Sequence, residues 1–322
     1  MKQFRNLLFV IEPGSQDQQA ALARAVSLAE QNQADLTVLS FLDRPRLGPF
    51  FSPDRAADIE RSLRAHEQAR IDSLIAACAP KTPIPSDVRF GPAFLESIRD
   101  VLRNGRDLVI KQAEDPRLSR LLFGGTDLHL LRKCPCPVWI VRPGEQPRYR
   151  RIVAAIDFDP WESDDLDGSL NDQILDLAAG VAFADFAELH LAHAWEPVAD
   201  SVVRVFGSDL SEDDILSGAA EERAGHQARL EREAAQLGKR LGADSEGYLA
   251  PQLHLRQGNP RQVIPQLVKD LNADLVVMGT LSRSGIPGFL IGNTAEAILD
   301  NLDCSVVTLK PAGFESPVQL EE

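Results

Sequence analysis

The sequence has little of what would mark a stapled, fibrous, nucleic-acid-binding or membrane-spanning protein. It holds four cysteines in 322 residues, too few for a disulfide scaffold and in keeping with a reducing compartment. Basic residues are in deficit, 34 Lys and Arg against 48 Asp and Glu, for a net charge of −14. General nucleic-acid binding, which needs a basic footprint, is therefore not expected. No apolar run approaches the roughly 20 residues that span a bilayer, so no transmembrane segment is expected. The N-terminal run Leu7 to Ile11 stops at Glu12 and makes no signal peptide. The chain is accordingly expected to be cytoplasmic. What is present, 44% apolar and 25% charged residues, fits an ordinary globular protein.

The charge divides unevenly. Residues 1–149 carry a net +3 and residues 150–322 a net −17, which suggests two units under different surface constraints. The stretch Arg142-Pro143-Gly144-Glu145-Gln146-Pro147-Arg148 reads as a linker between apolar runs. The expected domains are 1–143 and 150–311, with a tail at 312–322.

Both units show the same order of elements. The first has apolar strand-like runs at 7–11, 36–39, 88–90, 108–110 and 138–141, separated by helical stretches at 15–32, 54–78 and 93–103. The second has strands at 152–156, 188–194, 253–255, 275–278 and 306–309, with helices from about 169, at 212–241 and at 261–271. Asp107-Leu108-Val109-Ile110 matches Asp274-Leu275-Val276-Val277. Gly124 precedes Cys136 by 12 residues, and Gly292 precedes Cys304 by 12. This is a duplicated domain. Alternating apolar strands and helices predict parallel sheets with helices on both faces, each five-stranded in the order 3-2-1-4-5. Ligands of such sheets sit at the carboxyl ends of the strands.

The chemistry-bearing segment lies in the second unit. The strand Leu275–Met278 runs into Gly279-Thr280-Leu281-Ser282-Arg283-Ser284-Gly285, and Gly292-Asn293-Thr294 then opens a helix. Glycine lets backbone approach a phosphate, free helix-start amides favour negative charge, and Arg283 adds a cation. The same glycines can equally serve only to shape a turn and a helix entry.

At these residues the chain resembles the universal stress proteins, and its tandem arrangement, its Cys134-Pro135-Cys136-Pro137-Val138-Trp139 segment and its tail Lys310 to Val318 resemble the tandem E type. Nucleotide-binding members carry Gly-x-x-Gly, nine residues, then Gly-Ser/Thr. Gly279 and Gly292 take the first and third glycine places, Ser282 stands at the second, and Asn293 with Thr294 holds the Ser/Thr place. The resemblance implies two tandem Rossmann-like α/β domains, pairing of the two halves through their last strands as a pseudo-dimer, and a possible homodimer. It also implies a stress-response protein that binds ATP or AMP, with Mg2+, in the second unit. Asp157 would face the ribose or metal, Ala194 would line the adenine slot and Met278 would flank it. The alternative is an interaction protein, or a carrier of an apolar or acyl ligand, whose loop is vestigial.

The first unit reads as a degenerate copy. Glu12 replaces Asp157, Gln112 stands opposite Gly279, and Glu114, Asp115 and Asp127 bring negative charge to the phosphate place. The apolar loop Leu47, Pro49, Phe50 and Phe51 reads as a core-covering lid, or as a wall for an apolar ligand. His190 and His193, three apart on a strand, point to opposite faces, so a shared metal is not expected. Cys134 and Cys136 read as structural. The acidic stretch 212–241 reads as a solvated face. No nucleophile–base set or paired carboxylates emerge from the spacing, so no catalysis is assigned; weak ATP hydrolysis would need a metal beside Asp157.

Overall fold

The computed structural model describes residues 4–14, 18–45, 52–114, 125–161, 168–197, 212–242, 249–281 and 291–320. These form two compact α/β units.

The first unit runs β1 (Asn6–Ile11), α1 (Gln19–Asn32), β2 (Asp35–Leu42), α2 (Pro53–Ala77), β3 (Ser86–Phe90), α3 (Ala93–Asn104), β4 (Leu108–Gln112), α4 (Gly125–Lys133) and β5 (Val138–Val141). The strands lie in the order β3-β2-β1-β4-β5, and each of these neighbours is parallel. Leu7 to Ile11 are wholly buried, because a central parallel strand is covered on both faces. Helix ends follow local chemistry. Ser52 caps α2 by accepting from Arg55 N, with Pro53 at the first helical position, and Gly105 closes α3 at φ 60°, as the left-handed position after a helix favours.

A further strand lies against β5, antiparallel to it. The first unit also contains Ser305–Thr308, most of the strand β10 (Ser305–Leu309). It pairs antiparallel with β5, Val306 opposite Ile140 and Val307 opposite Trp139. All four residues of β5 are apolar and buried, and such an edge gains by taking a further strand. Ser305 Oγ accepts from Arg142 N at 2.8 Å and bonds the Glu145 carboxylate. The expected linker is likewise fixed: Arg24 of α1 binds Glu145 Oε1 at 2.8 Å and the carbonyls of Gln146 and Pro147.

The second unit runs β6 (Arg151–Ala155), α5 (Gly168–Asp185), β7 (Glu188–Trp195), α6 (Glu212–Leu241), β8 (Gln252–Gln257), α7 (Pro260–Leu271), β9 (Leu275–Gly279) and α8 (Asn293–Leu299). Its strands lie in the order β8-β7-β6-β9-β10, the expected 3-2-1-4-5, and β8-β7-β6-β9 are parallel neighbours. Leu309, the last residue of β10, belongs here and accepts from Thr280 N at 3.1 Å. The duplication is visible in side-chain detail. Asp107 accepts from the amides of Arg5 and Asn6 at 2.6 and 3.0 Å. Asp274 accepts from those of Arg150 and Arg151 at the same two distances. On α6 the acidic residues are not uniformly solvated: Glu221 and Glu231 are exposed, whereas Glu233 is buried against Arg229 at 2.8 Å, one helical turn away.

Strand alternation sends His190 and His193 to opposite faces of β7. His193 stacks on Phe158, ring centroids 3.8 Å apart, and meets His226 of α6 at 2.9 Å. His190 Nδ1 lies 3.0 Å from His254 Nε2 on β8. Burial pulls both of these imidazoles below the ordinary histidine range; Arg151 adds to this at His190 against an opposing Glu188, and at His254 the neighbouring His190 and Arg256 add to it. A base held low in the folded state stabilises it above the unfolded value of about 6.5, and that contribution is lost as pH falls through the folded value. Wild type is therefore expected to lose more stability than His254→Gln between about pH 7 and about pH 5. Urea unfolding at the two pH values checks this, and equal losses would show that the pair contributes nothing to the acid limb.

Candidate functional site

A cavity of about 610 Å³ opens at the carboxyl ends of the strands in the second unit, where a parallel sheet of this order leaves its ligand crevice. Ala155, Ile156 and Asp157 reach it from the end of β6, Ala194 from β7, and Met278 and Gly279 from β9. Leu170, Asn171 and Ile174 close it from α5, and Pro260, Arg261 and Ile264 from α7. The segment Gly292 to Ala295, with Ile298 of α8, completes the wall. The lining is mainly apolar, with Asp157 and Arg261 as its charged members. An apolar slot with a few placed polar groups is the usual form of a small-molecule site.

Seven of the expected residues come together here: Asp157, Ala194, Met278, Gly279, Gly292, Asn293 and Thr294. Ser282 and Arg283 lie outside the described residues, as do Asp115 and the loop residues Leu47, Pro49, Phe50 and Phe51. Asp157 is exposed, while its backbone is clamped by Asn171, whose Oδ1 accepts from Asp157 N at 3.4 Å and whose Nδ2 donates to Asp157 O at 3.0 Å. Neither Gly279 nor Gly292 is needed for a left-handed backbone. A Cβ on Gly279 would stand 3.0 Å from Leu170 Cδ2, so this glycine gives room to α5. Gly292 caps α8 at φ −76°, ψ 142°, a conformation open to any residue. Its amide donates to Thr280 O at 2.7 Å and its carbonyl accepts from Glu296 N at 3.0 Å.

Asn171 and Arg261 were not picked out by sequence reasoning. Both had signals. Arg261 follows Gly258-Asn259-Pro260, a strand-end turn and helix start in which Asn259 Oδ1 accepts from Arg261 N at 3.0 Å. Asn171 has a counterpart in the first unit, where Gln18 clamps Glu12 through bonds of 3.1 and 2.7 Å.

The corresponding place in the first unit is held by ions of the protein itself. In the repeat register Glu12, Lys111 and Asp127 stand where the second unit has Asp157, Met278 and Ala295. Lys111 is 1% exposed and Asp127 0%. Lys111 Nζ donates to Asp127 Oδ1 at 2.8 Å, Gln112 O at 3.0 Å and Glu12 Oε2 at 3.2 Å, with Glu114 Oε1 at 4.0 Å. Asp127 Oδ2 also accepts from Glu114 N at 2.9 Å, and Glu114 Oε1 from Thr126 N at 3.1 Å. Burial pulls the ammonium down, but Asp127, Glu12 and Glu114 outweigh it and hold Lys111 above the ordinary lysine value. Burial likewise lifts Glu12 and Asp127 above the carboxylate range, against the pull of Lys111. The carboxylates expected only to repel a phosphate are thus engaged by a buried cation that the spacing did not disclose.

Among the described residues, no group of three or more His, Cys, Asp or Glu side chains is placed to hold a metal, and no helix is long and apolar enough to cross a membrane.

The model of the universal stress protein family matches residues 3–142 and again 148–310. Universal stress protein E of Escherichia coli K12 is 30% identical over 339 aligned positions, covering 100% of this chain and 99% of that protein. A crystal structure of a functionally unknown protein from Pseudomonas aeruginosa PAO1 is 26% identical, with a TM-score of 0.66 over 96% of this chain and 94% of that one. A universal stress protein from Archaeoglobus fulgidus DSM 4304, 17% identical with a TM-score of 0.62 over 96% and 99% of the two chains, shares the fold.

Proposed function

The chain belongs to the universal stress protein family, and from that premise we propose that it is a cytoplasmic stress-response regulator that binds one adenine nucleotide, in its second unit, without catalysis. The observation that carries this reading is the contrast between the units. The second keeps a cavity of about 610 Å³ at its strand ends, within the usual range for a small-molecule site. In the first, the equivalent positions are taken by the buried Lys111 and Asp127 and the half-buried Glu12.

The residues present fit such a ligand. Ala194 and Met278 offer an apolar slot for a base, and Asp157, at the end of β6, offers a carboxylate to a ribose hydroxyl or to Mg2+. Arg261 supplies positive charge on the cavity wall. A magnesium ion held by one carboxylate and the ligand's own phosphates would follow the usual habit of that cation. Asn171 fixes the backbone of Asp157 and so its position. The mainly apolar lining favours a second reading, an apolar or acyl ligand in the same cavity.

Isothermal titration with ATP and magnesium separates the two. Wild type is expected to bind one ATP per chain, and at 100 times the dissociation constant ATP should add about 2.7 kcal/mol of stability. Gly292→Val is expected to abolish the heat, since it sets a branched side chain on the cavity wall. Ser282→Gly is expected to leave affinity unchanged or raise it by restoring the family's loop. No heat from wild type at about millimolar ATP, a concentration matching only a weak complex, would defeat the nucleotide reading and favour the apolar ligand. Two sites per chain would mean that the Lys111 cluster does not close the first unit.

A further inference from the structure

Cys134 and Cys136 are reduced, and their sulfur atoms lie 3.5 Å apart. Both belong to the first unit, where α4 ends and β5 begins. Residues two apart along an extended strand are separated by about 6.6 Å. Here the chain bends at Pro135 and Cys136, and the bend turns the two sulfurs toward each other. The bend is fastened on both sides. Cys134 N donates to Leu130 O at 2.9 Å, as the last bond of α4, and Val109 N donates to Pro137 O at 3.0 Å, which ties the start of β5 to β4. Pro135 and Pro137 restrict the backbone further.

The two thiols are not alike. Cys134 is wholly buried, whereas Cys136 keeps part of its surface open. A small neutral oxidant can therefore reach one sulfur while the other waits behind it. The second repeat lacks the arrangement: Cys304 stands at the place of Cys136, but Leu302 at that of Cys134. Duplicate backbones with one dithiol between them set this pair apart from ordinary core packing, for which leucine serves in the sister copy.

We propose that Cys134 and Cys136 form a peroxide-responsive modification site that closes to a disulfide within the first unit. The Cys136 sulfur, having given up its proton, attacks one oxygen of hydrogen peroxide. The O–O bond breaks, and the departing hydroxide takes up that proton as water, leaving a sulfenic acid. The Cys134 sulfur then attacks the Cys136 sulfur. The S–O bond breaks, and the hydroxyl leaves with the Cys134 proton as a second water. One peroxide is reduced to two waters, and the two thiols together lose two hydrogens. The hydrogen bond with Cys134, together with burial, holds the Cys136 thiol well above the ordinary range, so the first step is slow at neutral pH and quickens as pH rises, because the thiolate is the nucleophile. The Cys136 sulfur stays partly exposed, and exposed disulfides are the labile ones toward thiols, so the modification is reversible.

The test uses the full chain treated with hydrogen peroxide, then unfolded and labelled with a maleimide. The four labelled thiols of the untreated protein are expected to fall to two, and the unlabelled mass to drop by two hydrogens. A peptide map should place the bond between residues 134 and 136, and dithiothreitol should restore all four. The rate should climb between about pH 7 and about pH 9. Cys134→Ser should instead gain oxygen at Cys136 without losing two hydrogens. Because that change touches a buried sulfur, the paired variant Cys78→Ser with Cys304→Ser provides the independent arm: it keeps the dithiol and must still lose both labels. The proposal is overturned if all four thiols remain labelled under conditions that oxidise free cysteine in the same tube. A bond mapped to any other pair, or retention of both labels by the paired variant, overturns it as well.

Discussion

Replacing Lys111 with methionine, the residue at its counterpart position in the second unit, is expected to destabilise the first unit by about 3–5 kcal/mol, the usual cost of removing one partner of a buried ion pair. Asp127 is 0% exposed and sits 2.8 Å from Lys111 Nζ. Without the ammonium its charge would lose its cation while the amide of Glu114 stays in place. Glu12, at 3.2 Å, loses its cation too. The pH dependence follows from the direction of the shifts. Carboxylates whose folded values are raised contribute stability below their unfolded values, and lose it as pH rises through the folded ones. Burial already raises Glu12 and Asp127, and loss of Lys111 raises them further. The deficit of the variant should therefore be full at pH 7 and shrink on acidification, as protonation removes the unpaired charges. Because two units complicate a single unfolding transition, the change is best read from hydrogen exchange of the β1 and β4 amides. A loss below about 1 kcal/mol, the scale of a solvated pair, would mean that water reaches the cluster.

The reciprocal change is expected to have an equally large effect on binding. Met278→Lys with Ala295→Asp copies the Lys111–Asp127 pair into the second unit, where both positions line the cavity and Asp157 already stands at the place of Glu12. Lysine alone places a buried ammonium with one exposed carboxylate to answer it, and aspartate alone buries an unanswered charge; both single changes should be costly. Together they should recover about 2 kcal/mol of the summed loss, the coupling that neighbouring charges show in a double-mutant cycle. The heat of ATP binding should vanish in the pair even as the fold recovers. Strictly additive losses would show that the transplanted groups do not meet. A coupled, stable variant that still bound ATP with wild-type affinity would place the nucleotide elsewhere.

The parts of this molecule that could be read in advance are those decided locally or by repetition. Apolar runs buried on both faces marked the strands, and Asp107 and Asp274, each holding two amides of a first strand, recur because the same backbone needs the same fastening. The cavity residues could be listed because strand ends in this topology converge, although that principle does not identify a neighbour from another helix. Arg261 and Asn171 were therefore joined to the site only by the fold, although the turn Gly258-Asn259-Pro260 before Arg261 was legible. Least legible were contacts between distant charges. Lys111 meets Glu12 across 99 positions and Arg24 meets Glu145 across 121, and nothing in the spacing of a polar residue says which of many opposite charges it will find. A count of carboxylates around Gln112 accordingly pointed to repulsion, whereas one lysine engages those carboxylates within the protein.

The late place of β10 in the chain has a consequence for synthesis. The first unit's sheet is finished by Ser305–Thr308 against β5, but β5 ends at Val141. The ribosome must add the 163 residues from 142 to 304 before that partner exists. At about 5–20 residues per second this takes roughly 8 to 33 s. Throughout that interval the nascent first copy carries an apolar strand edge with no native neighbour, open to pairing with another chain. Duplication thus joined two copies in one message and also set a waiting time, so the earlier copy stays open at β5 until the later one is nearly made.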